Sequence, residues 1–271
     1  MLIWQIADLK NEIKNSVASC CHQNTIFTAN CQLVSTDRMQ TTDIENFLSQ
    51  GLKLMGLSLD NQPEALSCLA LYFHELNKWN RKINLVARTM DDLQILENHF
   101  LDSLTLLSLL DPEKQEQETV LDVGTGAGFP GLVLKIVCPL LPVVLIEPRK
   151  NRYYFLKHIV RMLDLRGVEV LNVRLDEIVE VKELSGRKFP FITSRAFTDI
   201  NQFIRLTAPY LVQGGGIVCM KGPGAEKELA DLVQQGLSEK FHVTETRKLT
   251  LPFSKAERML VIIKRSDEDL Q

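Results

Sequence analysis

The stretch Val120-Leu121-Asp122-Val123-Gly124-Thr125-Gly126-Ala127-Gly128-Phe129-Pro130-Gly131 constrains this chain more than any other. An apolar run carries an acid near its end, glycines follow at close spacing, and Leu132-Val133-Leu134 then reads as a helix start. A strand, a tight turn and a helix in that order form the place where an α/β sheet grips a nucleotide-like ligand. Glycine at 124, 126 and 128 permits positive φ and lets a ligand lie against bare backbone. A second apolar run, Val143 to Ile146, ends in Glu147, 23 residues beyond Gly124. A carboxylate at the tip of the second strand is placed to hold a ribose diol, unless it is only a solvent-facing strand end.

Two cofactor classes fit. A dinucleotide would rest its pyrophosphate on the helix N-terminus. S-adenosylmethionine would lay its methionine part over the loop. Gly126 to Gly131 satisfies G-x-G-x-x-G, so the glycines alone do not decide. Asp122 favours the second class: a carboxylate opposes a pyrophosphate and suits an ammonium and a sulfonium. Its plainer role would be to cap the loop's own N–H groups.

Strand signals recur at 119–123, 143–147, 168–173, 189–194 and 215–220. Helical signals lie at 131–138, 150–164, 200–211 and 225–238. The alternation implies a doubly wound parallel sheet with right-handed crossovers. Two late strands, about 241–250 and 258–265, have no helix between them and read as a terminal hairpin. The expected fold is therefore a mostly parallel seven-stranded sheet with a C-terminal antiparallel hairpin, forming a core over 119–265. A hairpin there favours a methyltransferase sheet over a dinucleotide fold.

Before the core, residues 41–112 read as a helical cap. Apolar residues recur at Ile44, Phe47, Leu48, Leu52 and Met55, with Thr42 or Asp43 as the helix cap. Pro63 suits the first turn of a second helix. A third helix is expected from Asp92 through Leu109, stopped by Asp111-Pro112. Residues 1–40 form an N-terminal extension without sustained periodicity, apart from a marginal helix near Ile3–Val17. Met39 stands just before the first capped helix and is expected to be the translation start.

Composition narrows the function classes. The net charge is −3, so a nucleic-acid surface must be a local patch. The six cysteines form no C-x-x-C pair and no zinc-spaced Cys/His cluster, so no metal is expected. Cys138 and Cys219 read as core thiols. A reducing cytoplasm is the expected compartment. There is no signal-peptide pattern, and the longest apolar region, Leu132 to Ile146, is broken by Lys135, Pro139 and Pro142.

Five segments occur in order: Leu76 to Leu85, Asn98-His99-Phe100-Leu101-Asp102-Ser103, Asp122 to Gly131, Ser194-Arg195-Ala196-Phe197, and Met220-Lys221-Gly222. Together they resemble the bacterial 16S ribosomal RNA guanine-N7 methyltransferases, the RsmG or GidB family, over about residues 43–265. The resemblance implies a Rossmann-like class I S-adenosylmethionine-dependent methyltransferase. Its expected target is N7 of one guanine in the 530 loop of 16S rRNA, its partner 16S rRNA or the small ribosomal subunit, and its state a monomer. It also implies cofactor contacts at Gly124 and Phe129, an adenine framed by Leu175 and Asp176, and Arg195 reaching cofactor or substrate. Glu147 stands where other members often carry Asp, one methylene longer. Two other readings remain: a nicotinamide-dependent oxidoreductase, and a non-catalytic rRNA-binding module.

Each candidate has a plainer role as well. Asp176 could cap a helix at 177–182. Arg195 could make a surface salt bridge. His99 and Asp102 share a helix face, where they could shape a guanine pocket or form a hydrogen-bonded structural pair. Lys221 could touch rRNA or be an exposed turn lysine. Lys150, Tyr154, Lys157 and Arg161 recur at helical spacing and could track phosphates around a stacking ring, or be a solvated face. Trp79 reads as a packing anchor between helices rather than a stacking platform. Guanine N7 has a free lone pair, so no catalytic base is expected.

Overall fold

Seven strands form one sheet in the computed structural model, which describes residues 39–176, 181–195, 199–235 and 241–265. They are β1 (Val120–Val123), β2 (Val143–Ile146), β3 (Val168–Leu171), β4 (Phe189–Arg195), β5 (Leu211–Lys221), β6 (Phe241–Thr250) and β7 (Glu257–Arg265). Their order is β3-β2-β1-β4-β5-β7-β6. β1 to β5 pair in parallel, and β7 runs antiparallel between β5 and β6. The expected terminal hairpin is therefore inserted with its second strand inward. The direction of winding reverses between β1 and β4, which opens a crevice at the C-terminal ends of these strands.

The helices are α1 (Thr41–Leu54), α2 (Gln62–Asn80), α3 (Asp92–Ile95), α4 (Asp102–Leu104), α5 (Gly131–Val137), α6 (Lys150–Met162), α7 (Ile200–Thr207) and α8 (Ala225–Gln235). β1 and β2 are buried along their whole length because helices cover both faces. Successive side chains alternate between two cores. Val120, Val143 and Leu145 join the core that holds α1, α2, α5 and α6. Leu121, Val123, Val144 and Ile146 join the core of α7 on the opposite face. By the same alternation Asp122 points toward the cap side, beneath the start of α5.

Two cap features differ from expectation. α1 starts at Thr41, with Gln40 in the cap position and Asp43 accepting from the Gln40 N–H at 3.4 Å. The expected third helix is not uniform: α3 widens into a π turn at Leu96–Leu101, returns as α4, and tightens into a 3-10 turn at Thr105–Leu109. Leu96, Glu97, Phe100, Leu101 and Asp102 are all buried along it, more than one face of a straight helix supplies. Pro63 does sit in the first turn of α2.

The expectations for Ile3–Val17 lie outside the described residues. Cys138 and Cys219 are buried, as expected of core thiols. Among the described residues no helix is long and apolar enough to cross a membrane, and no His/Cys/Asp/Glu group could hold a metal ion.

Candidate active site

The glycine loop leaves β1 with three left-handed residues: φ is 71° at Gly124, 62° at Gly126 and 103° at Gly128. Such angles disfavour any side chain. The Gly124 and Thr125 N–H groups donate to the Ile146 carbonyl at 2.9 and 3.1 Å, tying the loop to β2. Its glycines then divide by purpose. A Cβ at Gly128 would lie 2.6 Å from the Leu132 side chain and from the Tyr72 hydroxyl. One at Gly131 would lie 2.4 Å from Leu145. Those two permit packing. A Cβ at Gly126 would meet nothing nearer than the Arg152 guanidinium at 3.5 Å, so this part of the loop is an open cradle.

Asp122 is fully buried beneath the loop. Its Oδ2 accepts from the Thr125 hydroxyl at 2.6 Å and from the Gly131 N–H at 2.9 Å. The loop-capping role read from the sequence is therefore filled by one oxygen. The other, Oδ1, is buried and has no hydrogen-bond partner among the described residues. Burial pushes the carboxyl up to about 6, against the pull of those two donors and of Arg195.

Glu147 is 3% exposed, which overturns the solvent-facing strand end. Its Oε1 accepts from the Arg149 N–H at 2.7 Å, and the Asn172 amide donates to its carbonyl at 2.9 Å. The β2 and β3 tips are thus stitched together. Leu175 is buried in the second core, and Asp176 is exposed beside it. The helix that Asp176 was to cap falls mostly on residues 177–180, outside the described residues.

Phe129 is the hub between loop and cap. Its ring stacks on His99 at 5.0 Å and on Tyr72 at 5.6 Å, and meets Phe100 edge-on at 5.2 Å. The Arg195 guanidinium lies 5.1 Å above it. The residue is only 2% exposed, so its ring is spent on packing between loop and cap. The Tyr72 hydroxyl donates to the Ala127 carbonyl, fixing the loop from the cap side. Burial holds that phenol well above its ordinary range. Nothing in local sequence patterning marks Tyr72, an apolar-spaced aromatic inside an amphipathic helix.

His99 and Asp102 do not bond to each other, which corrects the structural-pair reading. Both ring nitrogens of His99 are buried without a partner among the described residues. Burial and the Arg195 and Arg258 charges hold its imidazole down to about 3, so it is uncharged at neutral pH. Asp102 faces two guanidinium groups instead: Arg258 at 3.3 Å and Arg195 at 3.7 Å. Burial raises its carboxyl while both arginines pull the other way. Arg195 also donates to the Asn98 carbonyl at 2.8 Å, and Arg258 to the Asn98 side-chain oxygen at 2.9 Å. Arg195 is thus a largely buried strut rather than a surface ion pair. Sequence reasoning missed Arg258, which reaches the site from the far end of the chain on β7.

A second long-range tie anchors the cap. Buried Glu97 accepts from the Phe253 and Ser254 N–H groups at 2.7 and 2.9 Å, in the β6–β7 turn. Phe253 stacks on Phe47 of α1 at 4.3 Å.

The basic face of α6 forms as its spacing implies: Lys150, Tyr154, Lys157 and Arg161 are all exposed, Tyr154 at 57%. The structure does not bring this face to the loop through contacts among those four. Arg152, on the same helix, does reach across to the Asn84 carbonyl at 3.0 Å. Trp79 packs against Phe155 at 5.6 Å and His158 at 5.2 Å, the anchor role expected of it. Lys221 is not an exposed turn lysine. It closes β5, only 11% of its side chain is accessible, and it pairs with Glu228 of α8 at 2.7 Å.

The donor set fits S-adenosylmethionine. The open cradle at Gly126 admits a ligand against backbone, and the unpartnered oxygen of Asp122 suits an ammonium. Glu147 stands at the tip of β2, where ribose hydroxyls lie in sheets of this kind. Nothing in the set demands a metal.

Comparisons with known proteins find relatives of this chain. The sequence profile described as rRNA small subunit methyltransferase G matches residues 65–261. The chain is similar to the Ribosomal RNA small subunit methyltransferase G of Desulfotalea psychrophila, 40% identical over 222 residues that cover 82% of this chain and 99% of the relative. It is 36% identical over 217 residues to the protein of that name from Geobacter sulfurreducens, covering 80% and 95%. Among solved structures, cofactor-bound Rv0187 from MTB shares the fold with a TM-score of 0.54 at 17% identity, over 85% of this chain and all of that one.

Proposed function

The chain belongs to the rRNA small subunit methyltransferase G family, and from that premise we propose that it methylates N7 of a single guanine in the 530 loop of 16S rRNA, using S-adenosylmethionine. The family assignment sets aside the nicotinamide oxidoreductase reading. The observation that carries the proposal is the open Gly126 cradle beside a buried carboxylate with one unpartnered oxygen.

S-adenosylmethionine supplies an electrophilic methyl on a sulfonium. Asp122 holds the ammonium end, and Glu147 accepts from the ribose hydroxyls. Leu175 and Asp176 frame the adenine, and Gly124 and Gly126 line its path. Guanine N7 presents a lone pair with no proton to lose, so the residues orient and exclude water rather than act as a base.

Positive charge moves onto the guanine as the methyl arrives. A cation next to N7 would oppose that movement. The site is arranged accordingly: His99 is uncharged, and Arg195 is balanced by Asp102 and lies over the Phe129 ring. The exposed face of Lys150, Tyr154, Lys157 and Arg161 supports docking of an RNA backbone beside the site.

The test is methyl transfer from labelled S-adenosylmethionine to small-subunit rRNA that lacks its own modifications, with the labelled base mapped. Label on N7 of one guanine in the 530 loop is expected. Label elsewhere overturns the site assignment. Tight rRNA binding with no label at saturating cofactor supports a non-catalytic module instead.

A further inference from the structure

Two stretches of this chain carry cations with no acid among them. Residues 76–90 hold four Lys or Arg and residues 148–163 hold five, with no Asp or Glu in either. Far apart in sequence, they meet in the fold. Trp79, at the end of α2, packs on Phe155 and His158 of α6. Just beyond it, Arg152 in the first turn of α6 donates to the Asn84 carbonyl at 3.0 Å.

That junction lies beside the glycine loop. The Arg152 guanidinium is the group nearest to a Cβ placed at Gly126, at 3.5 Å. α6 itself begins just past Glu147, at the C-terminal edge of the sheet where α/β ligands bind.

The cap side of the junction is an ordered loop. The Asn80 side chain accepts from the Leu85 and Val86 N–H groups at 2.9 and 3.1 Å. The Trp79 carbonyl accepts from the Lys82 and Ile83 N–H groups at 2.9 and 3.0 Å. Leu85 and Val86 are buried, while Arg81, Lys82 and Arg88 are exposed. The loop is pinned from within and turns its cations to solvent, so a ligand has little left to order.

Those cations also lack competing anions. Lys78 pairs with Glu75, Arg187 with Glu169 and Lys248 with Glu226. Among the described residues, the side chains of Arg81, Lys82, Arg88, Arg149 and Lys150 pair with no carboxylate. On a chain of net charge −3 they form the local patch that a polyanion requires. Its place beside the glycine loop favours the substrate as occupant over an unrelated acidic partner.

We propose that the cap loop 81–88 and the first turn of α6 form one surface that grips the phosphates of the rRNA strand entering the cofactor site. The proposal rests on the RNA methyl-transfer reading. The helical cap then does more than support the glycine loop: it supplies half of the grip on the substrate, and the exposed face of α6 continues that grip down the helix.

The test uses the full chain saturated with S-adenosylhomocysteine and a fluorescein-labelled fragment of small-subunit rRNA carrying the 530 loop. Arg81→Gln/Lys82→Gln/Arg88→Gln removes the cap half of the surface at exposed positions. It is expected to weaken RNA binding about tenfold or more. The slope of log affinity against log salt should fall by about two, at roughly 0.7 for each contact to a single strand. Affinity for S-adenosylhomocysteine and the thermal midpoint should stay unchanged. Arg149→Gln/Lys150→Gln, on the α6 half, should lower the slope by about one. Lys53→Gln/Lys264→Gln removes two exposed lysines outside this surface and should leave both affinity and slope close to the parent's. A triple variant that keeps the parent's affinity and slope, in a protein that methylates the fragment, overturns the surface alone. So does an equal loss per charge in the Lys53/Lys264 control. A parent protein that neither binds nor methylates the fragment overturns the functional reading itself, and the surface assignment with it.

Discussion

The hydroxyl of Tyr72, on the second cap helix, donates to the carbonyl of Ala127 in the glycine loop. The cap is thereby bonded to the very turn proposed to cradle the cofactor. Tyr72→Phe keeps the ring in its stack with Phe100 and Phe129 but leaves a buried carbonyl unpaired. The expected cost is about 1–3 kcal/mol of stability. Thermal unfolding should show the loss, and calorimetric titration should show weaker cofactor binding because the loop is no longer held. A variant as stable as the parent, with unaltered affinity, would remove the cap from any role in the loop's shape.

Gly126 and Gly128 should respond differently to alanine. At 128 the new methyl meets Leu132 and the Tyr72 oxygen at 2.6 Å, in a backbone with φ of 103°. Both crowding and strain oppose it, and Gly128→Ala should unfold or lose several kcal/mol, beyond the ~1 kcal/mol typical of left-handed strain alone. At 126 space exists, so Gly126→Ala should fold with a loss of about 1–2 kcal/mol, yet bind cofactor poorly. Equal stabilities for the two variants would contradict the division of the loop into a packed half and an open half.

Asp122 predicts a pH signature. Its carboxyl is raised to about 6 in the folded protein, from an unfolded value near 3.8. The folded state then binds the extra proton between these values, so stability from this group is full below pH 4 and is lost as pH rises through 6. The whole effect is about 3 kcal/mol at most. Denaturant unfolding across pH 4–7 should show this slope, and Asp122→Asn should flatten it. Cofactor affinity should move the opposite way, rising through pH 6 as the carboxylate ionises and can hold an ammonium. An Asn variant that retains both slopes would assign them to another group.

The exposed face of the 150–162 helix gives a prediction about salt. Lys157→Glu replaces one attraction with one repulsion, far from the packed side of that helix. RNA affinity should fall and its salt dependence flatten, while cofactor affinity stays constant. Filter binding at several salt concentrations reads this directly. An unchanged slope would mean that the face is merely solvated.

Much of this architecture was legible because it is local. Strict burial of Val120 to Val123 and Val143 to Ile146, glycines at a turn, and an acid at each strand tip are patterns within a few residues. The α6 face and the anchoring of Trp79 follow from helical period in the same way. What failed to show involves partners far apart in the chain. The spacing of His99 and Asp102 suggested a pair, yet Asp102 is claimed by Arg195 and by Arg258 from the last strand. Lys221 followed an apolar run before Gly-Pro-Gly and so read as a turn lysine, but Glu228 lies within reach one helix turn later. The π turn over Leu96–Leu101 also escaped, since it arises from burying Glu97 and Asp102 beside the apolar face, a demand set by tertiary contacts.

The bond from Glu97 to the backbone at Phe253 and Ser254 spans more than half of the chain. During synthesis, the helices near the beginning must wait for the hairpin near the end before that carboxylate gains its donors. Until then that side chain lacks its backbone donors, on a segment that carries His99 against the Phe129 ring. Closure of this clasp joins two ends of the fold made far apart in time, and it is a late event.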